Sequence, residues 1–401
     1  MGGVSMEWKE VTLGEIAIFK TGKLNSNAAI SNGEYPFFTC SPETLRINSY
    51  AFDQEAILLA GNNAEGNFSI KYYKGKFNAY QRTYVITPIR GKVDIKFLYY
   101  ALSLCLKQLK NMSQGTSTKF LTVTILNSFS VKLPSISDQR RIASILSSLD
   151  RKIELNNKIN ADLEEMAQAI FKNWFVDFEP FKDGKFVDSE LGKIPEEWKV
   201  SQIADIPHIL ETGKRPKGGA VEKGIPSVGA EHVKGMCAYD YSKTKYITPD
   251  FAAKLKTGKI EGYELLIYKD GGKPGYFIPN FSIFGEGYPF RECYLNEHVF
   301  KLDFNRDKGF NIFCYFFFKT DVIMSYFNSQ GAKAAIPGIN KKDVENIYIL
   351  SPENEAVKEF GKFALPLFEQ MLKNAVENRT LSLLRDTLLP RLMSGELEIP
   401  E

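Results

Sequence analysis

An internal repeat constrains the fold of this 401-residue chain more than any other feature, because a sequence that occurs twice is expected to fold twice. The segment WKEVTLGEIAIFKTGK near the start returns as WKVSQIADIPHILETGK in the second half. Trp8 and Trp198 are 190 residues apart, and Gly22 and Gly213 are 191 residues apart. The repeat therefore predicts two domains of the same fold, each of which begins at its own tryptophan.

Three later landmarks recur in the same order in the two copies. They are the SQG motifs at Gln114 and Gln330, the prolines Pro134 and Pro352, and the Asn-x-x-Leu motifs at Asn160 and Asn378. The separation grows to 216 residues at the two glutamines, so the second copy carries insertions. Two unrelated domains that share a few words by coincidence are the alternative interpretation of these matches.

Each copy combines a mixed α/β stretch with a long helix. Short β-rich runs such as EAILLAG (55–61) and TYVITPI (83–89) are separated by Gly, Asn and Pro. A helix is predicted at 95–109 with Asp94 as its N-cap, and the apolar run 311–327 occupies the same place in copy two. We therefore expect an α/β fold with a first domain over 1–136, a central helix over 137–175, a linker over 176–197, a second domain over 198–352 and a C-terminal helix over 353–401.

The two long helices carry heptad repeats of the coiled-coil type. In the first, over 138–173, the a positions are Ile142, Leu149, Asn156, Leu163 and Ile170, and the d positions are Ile145, Lys152, Ile159 and Met166. In the second, the a positions are Val357, Ala364, Met371, Asn378 and Arg385, and the d positions are Phe360, Leu367, Asn374, Leu381 and Leu388. Proline breaks helices, so Pro366 predicts a kink or a restart of the second helix, and Pro390 predicts its end.

We expect the two helices to pair with each other as an antiparallel coiled coil that joins the domains in a pseudo-two-fold arrangement. Asn residues in such a seam lower stability but fix the register of pairing. A helix of 36 residues is about 54 Å long, which exceeds one turn of duplex DNA, about 34–36 Å. Such a pair would hold two domains at a fixed spacing. The alternative is a pair of helices docked on a globular core, or the stalk of a homodimer.

Composition excludes several classes of protein. Lys and Arg total 51 and Asp and Glu total 48, so the net charge of +3 does not by itself indicate DNA binding, and any contact must come from local basic loops. The chain has no run of about 18 apolar residues and no secretory leader at its start. Its five cysteines are scattered singly. We therefore expect a cytoplasmic protein with no membrane span and no disulfide framework.

The sequence offers no support for an active site. The three histidines, His208, His232 and His298, lack the spacing of metal ligands. The TGK words lack the upstream Gly and following Ser or Thr of a phosphate-binding loop. No Asn-Pro-Pro-aromatic motif, with which amino-methyltransferases hold a flipped base, is present. We therefore expect a non-catalytic chain that needs neither a cofactor nor a metal.

Four long segments are the most specific sequence motifs in the chain. They are IELNNKINADLEEMAQAIFKNWFVDFEPF (153–181), SELGKIPEEWKV (189–200), LNEHVFKL (295–302) and ENRTLSLLRDTLLPRLMSGELEI (377–399). With them the whole chain resembles the specificity subunit of type I restriction–modification systems. The resemblance implies two target-recognition domains that each read one half of a split, asymmetric sequence in double-stranded DNA, with the helices setting the unread gap. It also implies two methyltransferase (modification) subunits, which dock on the helices and carry the S-adenosylmethionine site, and translocase–nuclease (restriction) subunits.

Specific reading of DNA requires polar side chains on loops that reach base edges, together with cations on phosphates. In copy one we propose the loops 21–27, 61–67, 80–82 and 113–119, with the candidates Lys23, Asn25, Asn62, Asn63, Arg82, Gln114, Thr116 and Lys119. In copy two we propose the loops 212–219, 269–276 and 329–333, with the candidates Lys214, Arg215, Lys217, Lys273, Tyr276, Gln330 and Lys333. We expect Lys23, Arg82 and Lys119 on phosphate or guanine, and paired hydrogen bonds to adenine from Asn62, Asn63 and Gln114. In copy two the lysines and Arg215 are the cations, and Tyr276 is a stacking or wedging ring. The alternative for each residue is a solvated loop with turn-forming Gly and Asn.

Two other functions are compatible with the sequence. The first is a standalone DNA methyltransferase or nuclease, which the missing motifs disfavour and which a cofactor-binding assay on the isolated chain would reveal. The second is an adhesion module with two domains on a stalk, which salt-dependent binding of DNA would exclude.

Overall fold

The computed structural model describes residues 7–271, 277–331 and 337–397. The chain folds into two compact units. Unit 1 comprises the residues up to Lys152 together with those from Leu381 onwards, and unit 2 comprises Ile153–Thr380. The candidates Lys273, Tyr276 and Lys333 lie outside the described residues.

Unit 1 is an α/β unit built around a six-stranded sheet. Its strands are β1 (Lys9–Thr12), β2 (Ala17–Thr21), β3 (Tyr35–Phe38), β4 (Leu45–Ile47), β5 (Phe52–Ala60), β6 (Asn62–Asn63), β7 (Ile70–Ala79), β8 (Thr83–Pro88), β9 (Lys119–Phe120) and β10 (Ser130–Leu133). Its helices are α1 (Leu13–Ile16), α2 (Ile95–Leu104), α3 (Leu106–Met112), α4 (Val123–Ser128) and the first part of α5 (Ile136–Phe175). The sheet has the order β2-β8-β5-β7-β3-β4, and α2 packs on it through the buried residues Phe97 and Leu98.

Unit 2 is built around a five-stranded sheet. Its strands are β11 (Phe186–Ser189), β12 (Gly192–Pro195), β13 (Val200–Gln202), β14 (Ile209–Thr212), β15 (Ile225–Val228), β16 (Gly235–Met236), β17 (Lys245–Ile247), β18 (Leu265–Tyr268), β19 (Phe281–Ile283), β20 (Tyr294–Leu295), β21 (Val299–Asp303) and β22 (Tyr348–Leu350). Its helices are the second part of α5, α6 (Pro249–Ala252), α7 (Lys308–Phe318), α8 (Asp321–Gly331), α9 (Lys341–Glu345) and the first part of α10 (Glu355–Met393). The sheet has the order β14-β21-β18-β19-β16.

The two sheets are equivalent strand for strand. Strands β2, β8, β5, β7 and β3 of unit 1 correspond to β14, β21, β18, β19 and β16 of unit 2, with three antiparallel pairings followed by one parallel pairing in each. The register agrees as well, since Thr21 pairs with Tyr84 and Thr212 pairs with Phe300. The predicted duplication is confirmed, and the alternative of two unrelated domains is wrong.

Capping residues set the starts of the corresponding helices. The Asp94 carboxylate accepts hydrogen bonds from the backbone N–H groups of Lys96 and Phe97, both at 3.0 Å, so the predicted N-cap is confirmed. Asp307 caps α7 in the same way, since it accepts from Phe310 N–H at 2.9 Å. The single helix predicted at 95–109 is instead interrupted at Cys105, where α2 ends and α3 begins.

Within unit 2, the second part of α5 pairs with the first part of α10. Asn156 is fully buried, and its Nδ2 donates to Glu377 Oε2 at 2.8 Å and to Asn378 Oδ1 at 2.9 Å. Asn160 Oδ1 accepts from Asn374 Nδ2 at 2.8 Å. Residue numbers rise along one helix as they fall along the other, so the predicted antiparallel pairing is confirmed.

Within unit 1, the first part of α5 meets the last part of α10. Arg385 Nη1 lies 2.9 Å from Asp150 Oδ1, and the Tyr100 hydroxyl donates to Asp150 Oδ2 at 2.5 Å. Leu146 and Leu392 belong to the same buried cluster. Arg385 interrupts the apolar heptad pattern of α10, and the carboxylate on the facing helix gives it a partner.

The seam of α5 departs from the predicted d positions. Leu146 and Ala167, which follow an a position by four residues, are buried, whereas the predicted d residues Ile145, Lys152 and Ile159 are half-buried and Met166 is 50% exposed. On a helix of 3.6 residues per turn, position i+4 lies about 40° from i and position i+3 about 60° on the other side. Both flank the a position, and only the rotation of the helix against its partner decides between them.

The residues predicted to pair the helices are buried or half-buried. Ile142 and Asn156 are buried, and Leu149, Leu163, Ile170, Leu367, Asn378 and Leu381 are half-buried. Leu163, Ile170 and Leu367 pack against the main core of unit 2.

Helix α10 continues through both of its prolines. Pro366 lies inside one continuous helix, so the predicted restart does not occur, and three helical residues follow Pro390, so the predicted end there is wrong. Pro366 is exposed, while Ala364 and Phe368 on either side of it are buried in the core. Burial of these neighbours offsets the helix-interior cost of proline, about 3 kcal/mol.

The described residues also bear on the cysteines and on membrane insertion. All five cysteines are free thiols. Burial raises the pKa of Cys293 to about 12, so this thiol stays protonated at neutral pH. No helix in the described part of the chain combines the length and the apolar character needed to cross a bilayer.

Candidate nucleic-acid interface

The four loops proposed as DNA-reading loops in copy one meet at one end of the unit 1 sheet, where β2 and β5 end and β8 begins. Gln81 N–H donates to the Leu24 carbonyl at 2.9 Å. Gly61 N–H donates to the Arg82 carbonyl at 2.8 Å, and the Gly61 carbonyl accepts from Leu121 N–H at 2.8 Å. These bonds join the loops into one continuous edge, which we call the unit 1 rim and which consists of residues 21–27, 61–67, 80–82 and 113–121.

Glycine allows the first loop of each unit to lie against its neighbour. A Cβ at Gly22 would lie 1.6 Å from the Ala79 carbonyl oxygen, and a Cβ at Gly213 would lie 1.6 Å from the Leu295 carbonyl oxygen. No side chain fits at such a distance, so the TGK motifs at 21–23 and 212–214 require their glycine. The lysine that follows each glycine is exposed.

The side chains of the unit 1 rim differ in how they are held. Among the predicted residues, Lys23, Asn25, Arg82, Gln114 and Thr116 are exposed, and Asn62, Asn63 and Lys119 are half-buried. Asn63 Oδ1 accepts from the backbone N–H groups of Glu65 and Asn67 at 2.9 and 3.0 Å, so this oxygen closes its own loop. Asn62 Oδ1 is buried and has no hydrogen-bond partner among the described residues.

The SQG motif of copy one forms a hydrogen-bonded loop, the tip of this rim, over residues 114–120. Gln114 and Phe120 exchange two backbone hydrogen bonds of 3.0 and 2.9 Å. Gly115 between them has a φ of +95°, and a Cβ there would lie 2.1 Å from the Thr118 carbonyl oxygen. The tip therefore depends on glycine for both its backbone conformation and its space.

The segment 40–43, which the sequence did not indicate, extends the unit 1 rim. The Cys40 thiol donates to the Arg82 carbonyl at 3.3 Å. Lys71 Nζ donates to the carbonyls of Ser41 and Glu43 at 3.1 and 2.9 Å, which fastens the segment to β7. Burial lowers the pKa of the Lys71 ammonium, and the Glu43 carboxylate opposes this shift.

Unit 2 forms an equivalent edge, the unit 2 rim, where β14 and β18 end and β21 begins; it consists of residues 213–219, 269–271 and 296–298. Lys269 N–H donates to the His298 carbonyl at 3.1 Å, and the Lys269 carbonyl accepts from Ile339 N–H at 2.7 Å. These are the bonds that Gly61 makes in unit 1. They establish as counterparts Gly61 and Lys269, Asn62 and Asp270, Gln81 and Glu297, and Arg82 and His298.

The unit 2 rim carries charged pairs where unit 1 carries neutral amides. Arg215 Nε lies 3.2 Å from Glu297 Oε1, and His298 Nε2 lies 3.2 Å from the same oxygen. His298 Nδ1 lies 2.5 Å from Asp270 Oδ1. Exposed ion pairs contribute roughly 0–1 kcal/mol each to stability, so these contacts have little effect on the stability of unit 2.

The remaining candidates of copy two lie in different surroundings. Lys214, Arg215 and Lys217 are exposed on the loop after β14. Gln330 is half-buried on the last turn of α8, so the loop predicted at 329–333 is helical as far as Gly331. Ile323 and Phe327 bury an apolar face of this helix, whereas copy one has Lys107 and Asn111 at the positions 216 residues earlier.

Comparison with known proteins assigns the family. The family model described as the type I restriction modification DNA specificity domain matches twice, over residues 6–165 and 195–378. This chain belongs to that family. The EcoDI type I restriction enzyme specificity subunit of Escherichia coli is 30% identical over 99% of this chain and 90% of its own length. The MjaIX specificity subunit of Methanocaldococcus jannaschii is 31% identical over 79% of this chain and 72% of its own length.

A solved structure has the same fold as this specificity protein. The S subunit of a type I restriction–modification system from M. genitalium superposes with a TM-score of 0.60 at 17% identity, over 97% of each chain. Two specificity domains in tandem, of mixed α/β structure and accompanied by two long helices, are the predicted fold class, which is confirmed.

Four rim residues of this specificity protein are absent from the predicted contact residues, although two of them lie in the proposed loops 80–82 and 269–276. They are Gln81, Asp270, Glu297 and His298. Three of them, Gln81, Glu297 and His298, could be found from the repeat, because the segment 80–82 (YQR) precedes the segment 296–298 (NEH) by 216 residues. This is the separation of the SQG glutamines, so alignment of the two words places His298 opposite Arg82.

Proposed function

We propose that this chain is the DNA-reading subunit of a type I restriction–modification complex, and that each unit reads one half of a split, asymmetric sequence through its rim. The observation that carries the proposal is the duplicated rim, in which the same backbone bonds hold different side chains in units 1 and 2. Reading of two different half-sites requires one scaffold that presents two sets of polar groups to base edges.

The proposed role is recognition without catalysis, so other subunits must supply the chemistry. The relatives EcoDI and MjaIX are named as specificity subunits of restriction enzymes. We propose two methyltransferase subunits, which bind S-adenosylmethionine, and translocase–nuclease subunits as partners. The long helices support docking of partners, since they expose the apolar side chains of Leu155, Met166, Val376 and Leu383.

The test of this function is to sequence modified bases in DNA from cells that express the chain with its methyltransferase subunits. We expect every modified adenine to lie in one split sequence with two different halves and a fixed gap. Cells that express the methyltransferase subunits alone are the control, and they should lack this pattern. Modification of an uninterrupted sequence, or turnover of DNA by the purified chain alone, would contradict the proposal.

We further propose that the lengths of α5 and α10 set the unread gap. The chain passes between the units after Lys152 in α5 and after Thr380 in α10. One heptad inserted at both points preserves the pairing within each unit and adds about 10 Å of helix, the rise of about three base pairs. We expect the gap in the modified sequence to lengthen by roughly this amount, with both half-sequences unchanged.

The controls for this insertion are two single insertions. Seven residues added beside Gly184, in the exposed turn between α5 and β11, should leave the gap as it is. Seven residues added to α5 alone make the two connections unequal, so we expect loss of binding. A change of either half-sequence in the doubly extended chain would refute the proposed role of helix length.

A further inference from the structure

The two rims place different pairs of side chains at one equivalent position. Gln81 and its counterpart Glu297 each reach across to the loop that follows Gly22 or Gly213. Gln81 Nε2 donates to Asn25 Oδ1 at 2.7 Å. Glu297 Oε1 lies 3.2 Å from the Nε of Arg215. One pair joins two amides and the other joins a carboxylate to a guanidinium, so the two rims offer different hydrogen-bonding groups to DNA.

In unit 2, the pair presents a fork of donors. The carboxylate of Glu297 engages Arg215 through Nε, which leaves the two terminal amino groups of the guanidinium as donors. The side chain of Arg215 is 55% exposed, so DNA can reach it. In the major groove, guanine presents two acceptors, O6 and N7, and an arginine fork matches both of them.

The neighbours of Glu297 fix this fork in position. His298 Nε2 lies 3.2 Å from the Glu297 oxygen that faces Arg215, and His298 Nδ1 lies 2.5 Å from Asp270 Oδ1. The chain of contacts therefore runs from Asp270 through His298 and Glu297 to Arg215. A side chain that is held before binding loses less conformational entropy on binding, which favours a specific contact.

In unit 1, the equivalent pair presents an acceptor beside its donors. The bond between the amides uses one Gln81 N–H and the Asn25 carbonyl. It leaves the Gln81 carbonyl as an acceptor, and the Asn25 amide and the second N–H of Gln81 as donors. Adenine presents an acceptor at N7 and a donor at N6 in the major groove, whereas guanine presents two acceptors. The Gln81 carbonyl therefore finds a partner on adenine and none on guanine, so of the two purines the amide pair complements adenine.

We propose that Arg215 reads a guanine in the half-site of unit 2, and that the Asn25–Gln81 pair reads an adenine at the equivalent place in the half-site of unit 1. This inference rests on the proposed function and adds the identity of two bases to it. Glu297 is a positioning residue, since it acts through Arg215.

The experiment selects bound sequences from a random duplex DNA library with the full chain in complex with its methyltransferase subunits. The wild type should enrich a split sequence with a guanine in one half and an adenine in the other. Arg215→Lys keeps the charge but removes the planar fork, so preference for that guanine should fall roughly ten- to a hundredfold, with the other half unchanged. Glu297→Gln should weaken the preference for the same guanine by a smaller factor. Asn25→Ala combined with Gln81→Ala should weaken only the preference for the adenine.

Lys214→Ala is the matched control, because Lys214 precedes Arg215 on the same loop and is also exposed. Loss of this point charge should weaken binding to all sequences and reduce the salt dependence by about one unit of slope, with base preferences intact. If the wild type enriches no sequence, the proposed function and this inference both fail. If it enriches a split sequence and Arg215→Lys leaves both halves unchanged, or relaxes both, only this inference is overturned.

Discussion

Gly22→Ala is expected to abolish reading of one half-site while the other half-site is still read. A Cβ at this position would lie 1.6 Å from the Ala79 carbonyl oxygen, so the loop that carries Lys23 and Asn25 must move away from that backbone. The hydrogen bond from Gln81 N–H to the Leu24 carbonyl, 2.9 Å long, would then be lost. We expect a destabilisation of unit 1 by about 2–4 kcal/mol and loss of base preference in one half of the sequences selected from a random library.

The matched variants for this prediction lie in unit 2. Gly213→Ala meets the Leu295 carbonyl oxygen at the same 1.6 Å and should abolish reading of the opposite half-site. Gly218→Ala lies on the same loop, where an added Cβ meets nothing within 4 Å, and should leave both halves intact. Equal loss of both half-sites in Gly22→Ala, or normal reading of both, would show that the close approach at this glycine is unimportant.

Asn156→Leu is expected to destabilise the helix pair of unit 2 by about 2–3 kcal/mol. Asn156 is fully buried and donates to both Glu377 and Asn378 on α10. Leucine removes both bonds and places an apolar side chain against the polar groups that remain. Hydrogen exchange of the α5 and α10 amides within 153–160 and 371–380 measures the effect in the full-length chain, and exchange should become faster there.

The double variant separates the hydrogen bonds from the packing. When Asn156→Leu is combined with Asn378→Leu, both members of the amide pair become apolar and the exposed Glu377 carboxylate can be hydrated, so part of the lost protection should return. The register of the helices is then less strictly specified, because a buried Asn pair penalises shifted arrangements. Asp162→Leu, at an exposed position of the same helix, is the control. If Asn156→Leu exchanges as slowly as the wild type, the amide network does not stabilise the pair.

The features predicted correctly from the sequence are those that are local or periodic. Asp94 caps α2 through residues only two and three positions further along the chain, so its role depends on neighbours in sequence. The heptads of α10 place Phe360, Ala364 and Met371 in the core, as periodicity requires. The duplication can be predicted from the sequence alone, because the same motifs in the same order indicate the same fold.

Predictions failed where two local rules compete or where burial outweighs a local preference. For α5, positions three and four residues after each a position are almost equally placed on the helix, and at Leu146 and Ala167 packing buries the fourth. For Pro366, burial of Ala364 and Phe368 outweighs the lost backbone bond, and the helix continues. In copy two, α8 buries an apolar face and includes Gln330. The matching SQG motif of copy one lies in a turn instead.

Repeats and heptads are visible along the chain, so they suffice to predict two α/β domains of one fold and two helices that pair. Which side chains meet on each rim depends instead on how the sheets are assembled. The contact between Asn25 and Gln81 joins residues 56 positions apart. That contact and its counterpart between Arg215 and Glu297 depend on the order and register of strands that are distant in sequence. Local patterns do not encode such pairings, because they arise only when the sheet brings the ends of those strands together.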